Sequence, residues 1–311
     1  MADATEKVWV KVDGHELSLT NLSKVLYPQT GFTKGEVIDY YTRIAPVLLP
    51  HLADRPLTVK RYPNGVDGPH FFEKNAARGT PDWVRTVTLP VPGSTMKRET
   101  IDFVVVDSLA ALVRMANLAA LELHVPQWRV APRQKRPDVD LVVFDLDPGP
   151  GASIVQCCEV ALLLRDTAAE DGLTLFPKTS GSKGMQLSAP ISVADPDIPS
   201  RYAQSLAVRL ERARPELVVS RMSKSLRPGK VFVDWSQNSP AKTTVCVYSL
   251  RAREEQTVST PLNWDEVESG RELRFTAENV LARVREHGDL HAGCLDENHR
   301  VELTGPVPTS E

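Results

Sequence analysis

Three carboxylates at the ends of apolar runs are the first chemistry legible in this chain. In DLVVFDLDPGPG, a strand over 140–147 puts Leu141, Val143, Asp145 and Asp147 on one face and Val142, Phe144 and Leu146 on the other, because strand side chains alternate. Two like charges at the end of a buried strand are costly unless a cation joins them, and a hard ion such as Mg²⁺ or Mn²⁺ takes carboxylate oxygens while leaving positions open for phosphates. The run KVFVDWSQN offers a third acid, Asp234, on the face shared by Phe232 and Lys230. Three such acids suit two ions, which together stabilise an attacking and a leaving oxygen. A DxDPG turn capping a helix near Ser153 would use Asp145 and Asp147 without metal, and the third acid weighs against that reading.

Phosphate-binding chemistry stands nearby in the sequence. Thr179-Ser180-Gly181-Ser182-Lys183-Gly184 follows the apolar run LTLFPK and supplies backbone N–H groups, the Ser180 and Ser182 hydroxyls and the Lys183 ammonium. It is not a Walker A loop, because GxxxxGK[ST] is absent. LELHVP places Glu122 and His124 on one strand face, and Arg227 and Arg251 are suited to bidentate contact with phosphate oxygens. Each has an ordinary structural use as a polar turn, a satisfied core histidine or a surface arginine. Together with the acids they describe a metal-assisted nucleotidyl or phosphoryl transfer site.

Strands and helices must hold these groups. VWVKVDGHELSL alternates around Asp13-Gly14, a strong hairpin signal. Thr33 and Glu36 form a capping box for the helix GEVIDYYTRIAPVLLPHL, which Pro46 is expected to kink or end. Further helices are expected after Ser108 (LAALVRMANLAAL), from Ser153 to Gly172, over 200–213 and after Thr276. The β-rich runs are LTVKRY, IDFVVV, DLVVFDLD, LTLFPKTS, ELVVS, KVFVDW and TTVCVYSL. The alternation implies an α/β or α+β chain. It reads as one catalytic domain over 1–311, softly divided near 130–138: a part over 1–135, a metal and nucleotide core over 136–250, and an acidic helical appendage over 251–311.

Composition bounds the function. Of 311 residues, 41% are hydrophobic and 25% charged, enough for a large core, and no run approaches a membrane span. The N-terminus lacks the apolar stretch of a signal peptide, and Cys157, Cys158, Cys246 and Cys294 have no metal-ligand spacing, so a soluble cytoplasmic protein with reduced thiols is expected. The net charge of −3 argues against nucleic acid only as an average. Residues 251–311 carry seven basic and thirteen acidic side chains, leaving +3 on the first 250, with basic clusters at Arg129–Arg136 and Arg221–Lys242. Basic groups gathered around one groove bind phosphates whatever the total.

In order, the motifs NLSKVLYP, RYPNGVDGPHFFEK, LELHVPQW, VFDLDPG, TSGSKG, SLRPGKVFVDWSQN and YSLR resemble the polymerase domain of bacterial DNA ligase D, of the archaeo-eukaryotic primase superfamily, over roughly residues 17–290. The resemblance implies a primase-type core with an RRM-like antiparallel or mixed sheet flanked by helices. It also implies template-directed addition of nucleotides, preferably ribonucleotides, to DNA 3′ ends at gaps or breaks, with two Mn²⁺ or Mg²⁺ ions and NTP or dNTP as substrate. By position Asp145, Asp147 and Asp234 match the family's metal carboxylates. His124, Ser180, Ser182, Lys183, Arg227 and Arg251 match its triphosphate ligands, with Lys60 nearby. Lys24 and Lys34, with Asn21 close by, match residues that hold the 5′-phosphate of the downstream strand, and Lys34 lies in a first helical turn, where N–H groups favour anions. Phe71 and Phe72 match an aromatic pair beside template and nucleotide; adjacent residues cannot both enter one core, so one exposed ring is expected. Gapped or broken DNA with a 5′-phosphate, the end-binding protein Ku and a separate ATP-dependent ligase are the implied partners, in a bacterial, nucleoid-associated setting and without membrane.

Lys11-Val12-Asp13-Gly14 spells KxDG, the nucleotidyl-lysine signature of ligases, but its place between alternating strands reads as a hairpin turn. The chain is accordingly expected to be a stand-alone relative, or a piece of a longer protein, without a ligase of its own. Two other readings fit parts of the sequence. A haloacid-dehalogenase-type phosphatase also begins with DxD, though Pro148 stands where that family needs Thr or Val. A non-catalytic DNA-end binding module would use Lys24 and Lys34 and leave the acids idle.

Overall fold

A computed structural model describes residues 7–91, 99–130 and 138–304. Two sheets organise it, each with its own apolar core. The first is antiparallel, in the order Thr244–Val245, Ala120–Val125, Thr58–Arg61, Phe71–Glu73. Helices Lys34–Leu52 and Leu109–Asn117 bury Tyr40, Tyr41, Ile44, Leu48 and Leu112 in its core. The second sheet runs Phe176–Thr179, Met185–Ser192, Leu141–Pro148, Val231–Asp234, Val218–Val219. Its first four strands pair antiparallel and the last pairs parallel. Helices Ile154–Ala169 and Ile198–Ala213 cover it through Val160, Leu164, Tyr202 and Leu206. This is the mixed sheet flanked by helices that the sequence implied. No described helix is long and apolar enough to cross a membrane.

Several elements depart from the sequence reading. The helix from Lys34 runs through Pro46 and Pro50 to Leu52, because both prolines lie on its solvent face, where the missing N–H groups fall outside the packed core. The helix after Ser108 ends at Asn117, and Ala119, at φ 57°, turns the chain into the Ala120–Val125 strand that carries Glu122 and His124. TTVCVYSL keeps only two residues in a strand before turning at Tyr248, at φ 64°. Met185–Ser192 was not anticipated: its Gln, Ser and Pro mask a strand lying between two neighbours and buried over Met185–Ile191. Nor is the acidic C-terminal segment an appendage. Helix Ala277–His287 puts Ala277 and Val280 into the first core, and Val301–Glu302 pairs with Ile191 and Ser192 of the second sheet. The soft boundary falls mostly on 131–137, outside the described residues.

Candidate active site

Antiparallel pairing sets Asp234 directly opposite Asp145, and Asp147 lies two residues along the same strand. All three acids therefore share one face of the second sheet. Asp145 is half-buried and receives one hydrogen bond, from Gln186 Nε2 to its Oδ1 at 3.1 Å. Asp147 is exposed and accepts no hydrogen bond among the described residues. Burial, then the charges of Asp147 and Asp234, push the Asp145 carboxyl up to about 7, and burial and Asp234 raise that of Asp147. Asp234 is buried and already accepts Ser236 N at 3.0 Å, Ser236 Oγ at 2.5 Å and Gln237 Nε2 at 2.9 Å, with Lys242 donating to the same Ser236 hydroxyl. Among the described residues no three His, Cys, Asp or Glu side chains converge closely enough to hold an ion as they stand. The donor set still fits one in chemistry. Three oxygen-bearing anions repel one another across a single face, a charge imbalance that a hard cation relieves.

A cationic cluster sits on the first sheet. Glu122, 2% exposed, is its hub: Oε2 lies 3.0 Å from His124 Nε2 and 3.8 Å from Lys60 Nζ, and Oε1 lies 3.4 Å from Arg251 Nε. Burial alone would raise the Glu122 carboxyl, but the His124 hydrogen bond and the Arg251, His124 and Lys60 charges win and bring it down to about 2. Burial and the nearby Arg251 and Lys60 charges lower the His124 value against the pull of Glu122. Phe72 packs edge-on to His124 with centroids 6.0 Å apart, and the Lys60 ammonium lies 5.3 Å from its centroid.

The TSGSKG loop joins the two halves. Arg251 donates to the Ser180 carbonyl, and Thr257 Oγ1 to that of Gly181 at 2.6 Å. Ser180 Oγ accepts Ser182 N and Gly184 N, both at 3.2 Å, which curls the loop on itself. On the other side Gly184 abuts the acid-bearing strand so closely that a Cβ there would meet the Leu146 carbonyl oxygen at 2.1 Å. Ser182 and Lys183 are left exposed at the tip. Arg227 reaches the acids from a third direction, its guanidinium 3.8 Å above the Phe232 ring, where its charge opposes the rise at Asp147. Its Nε is buried without a hydrogen-bond partner among the described residues.

The remaining candidates form a separate spot. Lys34 is 6% exposed, and its ammonium donates to Thr20 O at 2.6 Å and to Thr20 Oγ1 at 3.2 Å. Burial, then Lys24 and Arg61, lower its value to about 8. Lys24 donates to Asn64 Oδ1 at 2.9 Å, and Asn21, exposed with φ 54°, turns the chain between them. The helix terminus itself offers less than expected. The N–H groups of Lys34 and Gly35 go to the carbonyls of Lys24 and Leu22, and that of Glu36 goes to Thr33 Oγ1, so an anion would be met by ammonium groups. Phe71 and Phe72 are 45% and 60% exposed, so both rings face outward, where a single one was expected. They flank opposite faces of their strand, Phe71 over the Arg61 guanidinium at 5.2 Å and Phe72 over Lys60.

Sequence reading missed Gln186, which orients Asp145; Lys178, which fixes Gln186; and Asn64, which holds Lys24. Only the unassigned strand Met185–Ser192 could have pointed to Gln186. The basic clusters are partly spent within the fold. Arg129 is spent inside on Asp140 at 2.7 Å, Arg221 on Glu211 at 3.0 Å and Lys230 on the Pro215 carbonyl at 2.6 Å. Arg133, Lys135 and Arg136 lie outside the described residues.

A mixed sheet bearing three acids on one face, opposed by a cationic cluster and a serine-glycine loop, defines a nucleotidyltransferase of the archaeo-eukaryotic primase type. The chain belongs to the LigD primase-polymerase domain family, whose model matches residues 33–291. It is 46% identical over 283 residues to the multifunctional non-homologous end joining DNA repair protein LigD of Mycobacterium tuberculosis, and 32% identical over 308 residues to the bifunctional protein of Bacillus subtilis. It covers 36% and 48% of the length of those relatives, using 88% and 95% of itself. The solved polymerase domain of Mycobacterium tuberculosis ligase D in complex with DNA superposes with a TM-score of 0.83 at 46% identity, over 89% of this chain and 96% of that one. The family sets aside the phosphatase and the non-catalytic module, and a polymerase domain implies nucleotide substrates and divalent metal ions. The KxDG tetrapeptide is structural: Asp13 and Gly14, at φ 48° and 82°, close the hairpin Lys7–Val12 and His15–Thr20, and the Asp13 carboxylate accepts Ala110 N at 3.0 Å.

Proposed function

We propose that this chain is the polymerase of an end-joining repair system, extending the 3′ end at a gap or break whose downstream strand carries a 5′-phosphate, with ribonucleotides preferred. The observation that carries the reading is the opposition of charges across the TSGSKG loop: Asp145 and Asp147, neither in an ion pair among the described residues, on one side, the Lys60, His124 and Arg251 cluster on the other. Asp145, Asp147 and Asp234 would hold two Mn²⁺ or Mg²⁺ ions, which supply charge neutralisation and a more acidic 3′-hydroxyl. Lys183, Ser180 and Ser182 meet the triphosphate at the loop, His124, Lys60 and Arg251 beside it, and Arg227, with its unpartnered Nε, beside Asp147. Glu122 keeps the cluster charged and oriented, so the triphosphate meets prearranged donors and in-line attack needs little rearrangement. Phe72 offers a ring beside the nucleotide, Phe71 one beside the template, and Lys24, Lys34 and Asn21 form the 5′-phosphate pocket, because a buried ammonium without a carboxylate partner fits an anion. DNA of the nucleoid, Ku and an ATP-dependent ligase are the partners this role requires.

Primer extension on a gapped duplex tests the reading, with NTPs or dNTPs, Mn²⁺ or Mg²⁺, and a 5′-phosphate or hydroxyl on the downstream strand. Templated addition, stronger with NTPs and with the phosphate and lost in Asp145→Ala plus Asp147→Ala, is expected. Synthesis that survives the double substitution would remove these acids from the mechanism.

A further inference from the structure

The hairpin Lys7–Val12 and His15–Thr20 has two unlike faces. Val10, Val12, Leu17 and Leu19 point into the first core, whereas Lys7, Trp9 and Lys11 point the other way, cross-strand from Thr20, Ser18 and Glu16. Trp9 is 69% exposed, the most exposed of the large apolar side chains among the described residues. No carboxylate forms an ion pair with Lys7 or Lys11 among those residues. Glu16 shares this face with Lys11 but forms no ion pair with it among the described residues, so an exposed indole lies between two ammonium groups without a carboxylate partner there, an arrangement suited to a polyanion with apolar sugar edges.

The same face leads into the phosphate pocket. Thr20 is the cross-strand partner of Lys7, so their side chains share a face, and the Thr20 hydroxyl on that face meets the Lys34 ammonium at 3.2 Å. The platform is also pinned in place. Asn117 receives Thr20 N and donates to Ser18 O, at 3.1 and 3.0 Å, while Asp13 anchors the turn to Ala110.

We infer that the Lys7, Trp9 and Lys11 face is a docking surface for the downstream duplex arm, continuing the contact that begins at the 5′-phosphate. The inference rests on the proposed role of Lys34. From Lys7 to Lys11 the strand advances ~13 Å, at about 3.3 Å per residue, which matches roughly four base pairs of duplex. The two ammonium groups meet backbone phosphates, and Trp9 between them lies against deoxyribose.

Binding of gapped duplexes with downstream arms of 2 base pairs, held by a closing loop, and of 14 base pairs, followed by fluorescence anisotropy over a salt series, tests it. The unaltered protein should bind the longer arm several-fold more tightly. Lys7→Ala plus Lys11→Ala should erase that gain and lower the salt slope by roughly 2 on the longer arm alone, since each phosphate contact contributes about 0.9. Trp9→Ala should erase most of the gain with an unchanged slope, and its exposed position makes misfolding no obstacle. Unaltered affinity in these variants, an equal loss on both arms, or a dependence on the upstream arm instead would overturn the inference. Lys34→Met separates the two claims. If that variant still prefers 5′-phosphate to 5′-hydroxyl as strongly as the unaltered protein, the pocket reading has failed; if it loses the preference while the hairpin variants bind normally, only the hairpin inference has.

Discussion

Asp234 stands directly across the sheet from Asp145, partnered through the backbone of two antiparallel strands that are far apart in the chain. The pairing fixes two anions on one face, and burial together with the third acid raises the cost of keeping Asp145 ionised. A fold that tolerates this repulsion stores a demand for positive charge.

Asp145→Asn should therefore have opposite effects with and without metal. Relieving like-charge repulsion should raise the metal-free melting temperature by roughly 2 °C or more, while the stabilisation by added Mn²⁺ should shrink sharply. Thermal melts at several Mn²⁺ concentrations check both. A variant that melts lower without metal and keeps the full Mn²⁺ shift would show that Asp145 serves packing.

Glu122 stabilises through its ionised form. Its folded value, about 2, lies below the unfolded value of 4.5, so its contribution is complete above about 4.5 and is lost as pH falls through about 2. Glu122→Gln leaves Lys60, His124 and Arg251 facing a neutral group, and should cost roughly 3 kcal/mol at neutral pH. It should also flatten the acid limb of a stability-pH curve between about 4.5 and 2, as urea melts across that range would show.

Discrimination for the 5′-phosphate should depend on pH through Lys34. Its folded value of about 8 means that the ammonium is present below pH 8 and is lost above it, so the preference for phosphate over hydroxyl should hold steady near pH 7 and decline by up to tenfold per unit above pH 8. Lys24→Ala removes a repelling charge and should move the midpoint upward even as overall affinity falls. Anisotropy titrations from pH 6.5 to 9.5 with both substrates measure this.

Gly184→Ala probes the seam between loop and strand. The added Cβ would lie 2.1 Å from the Leu146 carbonyl oxygen, an impossible contact with backbone, so the loop must move away. Nucleotide incorporation should fall at least tenfold with KM for the triphosphate raised, while circular dichroism stays close to that of the unaltered protein. Normal KM in the variant would place the triphosphate elsewhere.

Period-two alternation in DLVVFDLD and KVFVDW was enough to assign the acids to strand faces, and the Thr33 and Glu36 box was enough to start the first long helix. Local rules failed where burial overrode composition: MQLSAPIS became a strand between two neighbours because Gln186 and Lys178 satisfy each other at 2.5 Å inside the protein. They failed again at Pro46, whose solvent-facing position spared the helix, and at the C-terminal segment, whose acidic average hid Ala277, Val280 and Leu303, all buried. The motif order by itself identified the family, because spacing along the chain is a property of sequence. Only the tertiary structure decided which cations stand free. Pairing within the fold spends Arg129 on Asp140 and Lys230 on a carbonyl, gives Glu122 two cationic neighbours, Lys60 and Arg251, beside its hydrogen bond with His124, and leaves Lys34 buried without an anion among the described residues, since charge balance at a point depends on distances that sequence does not contain.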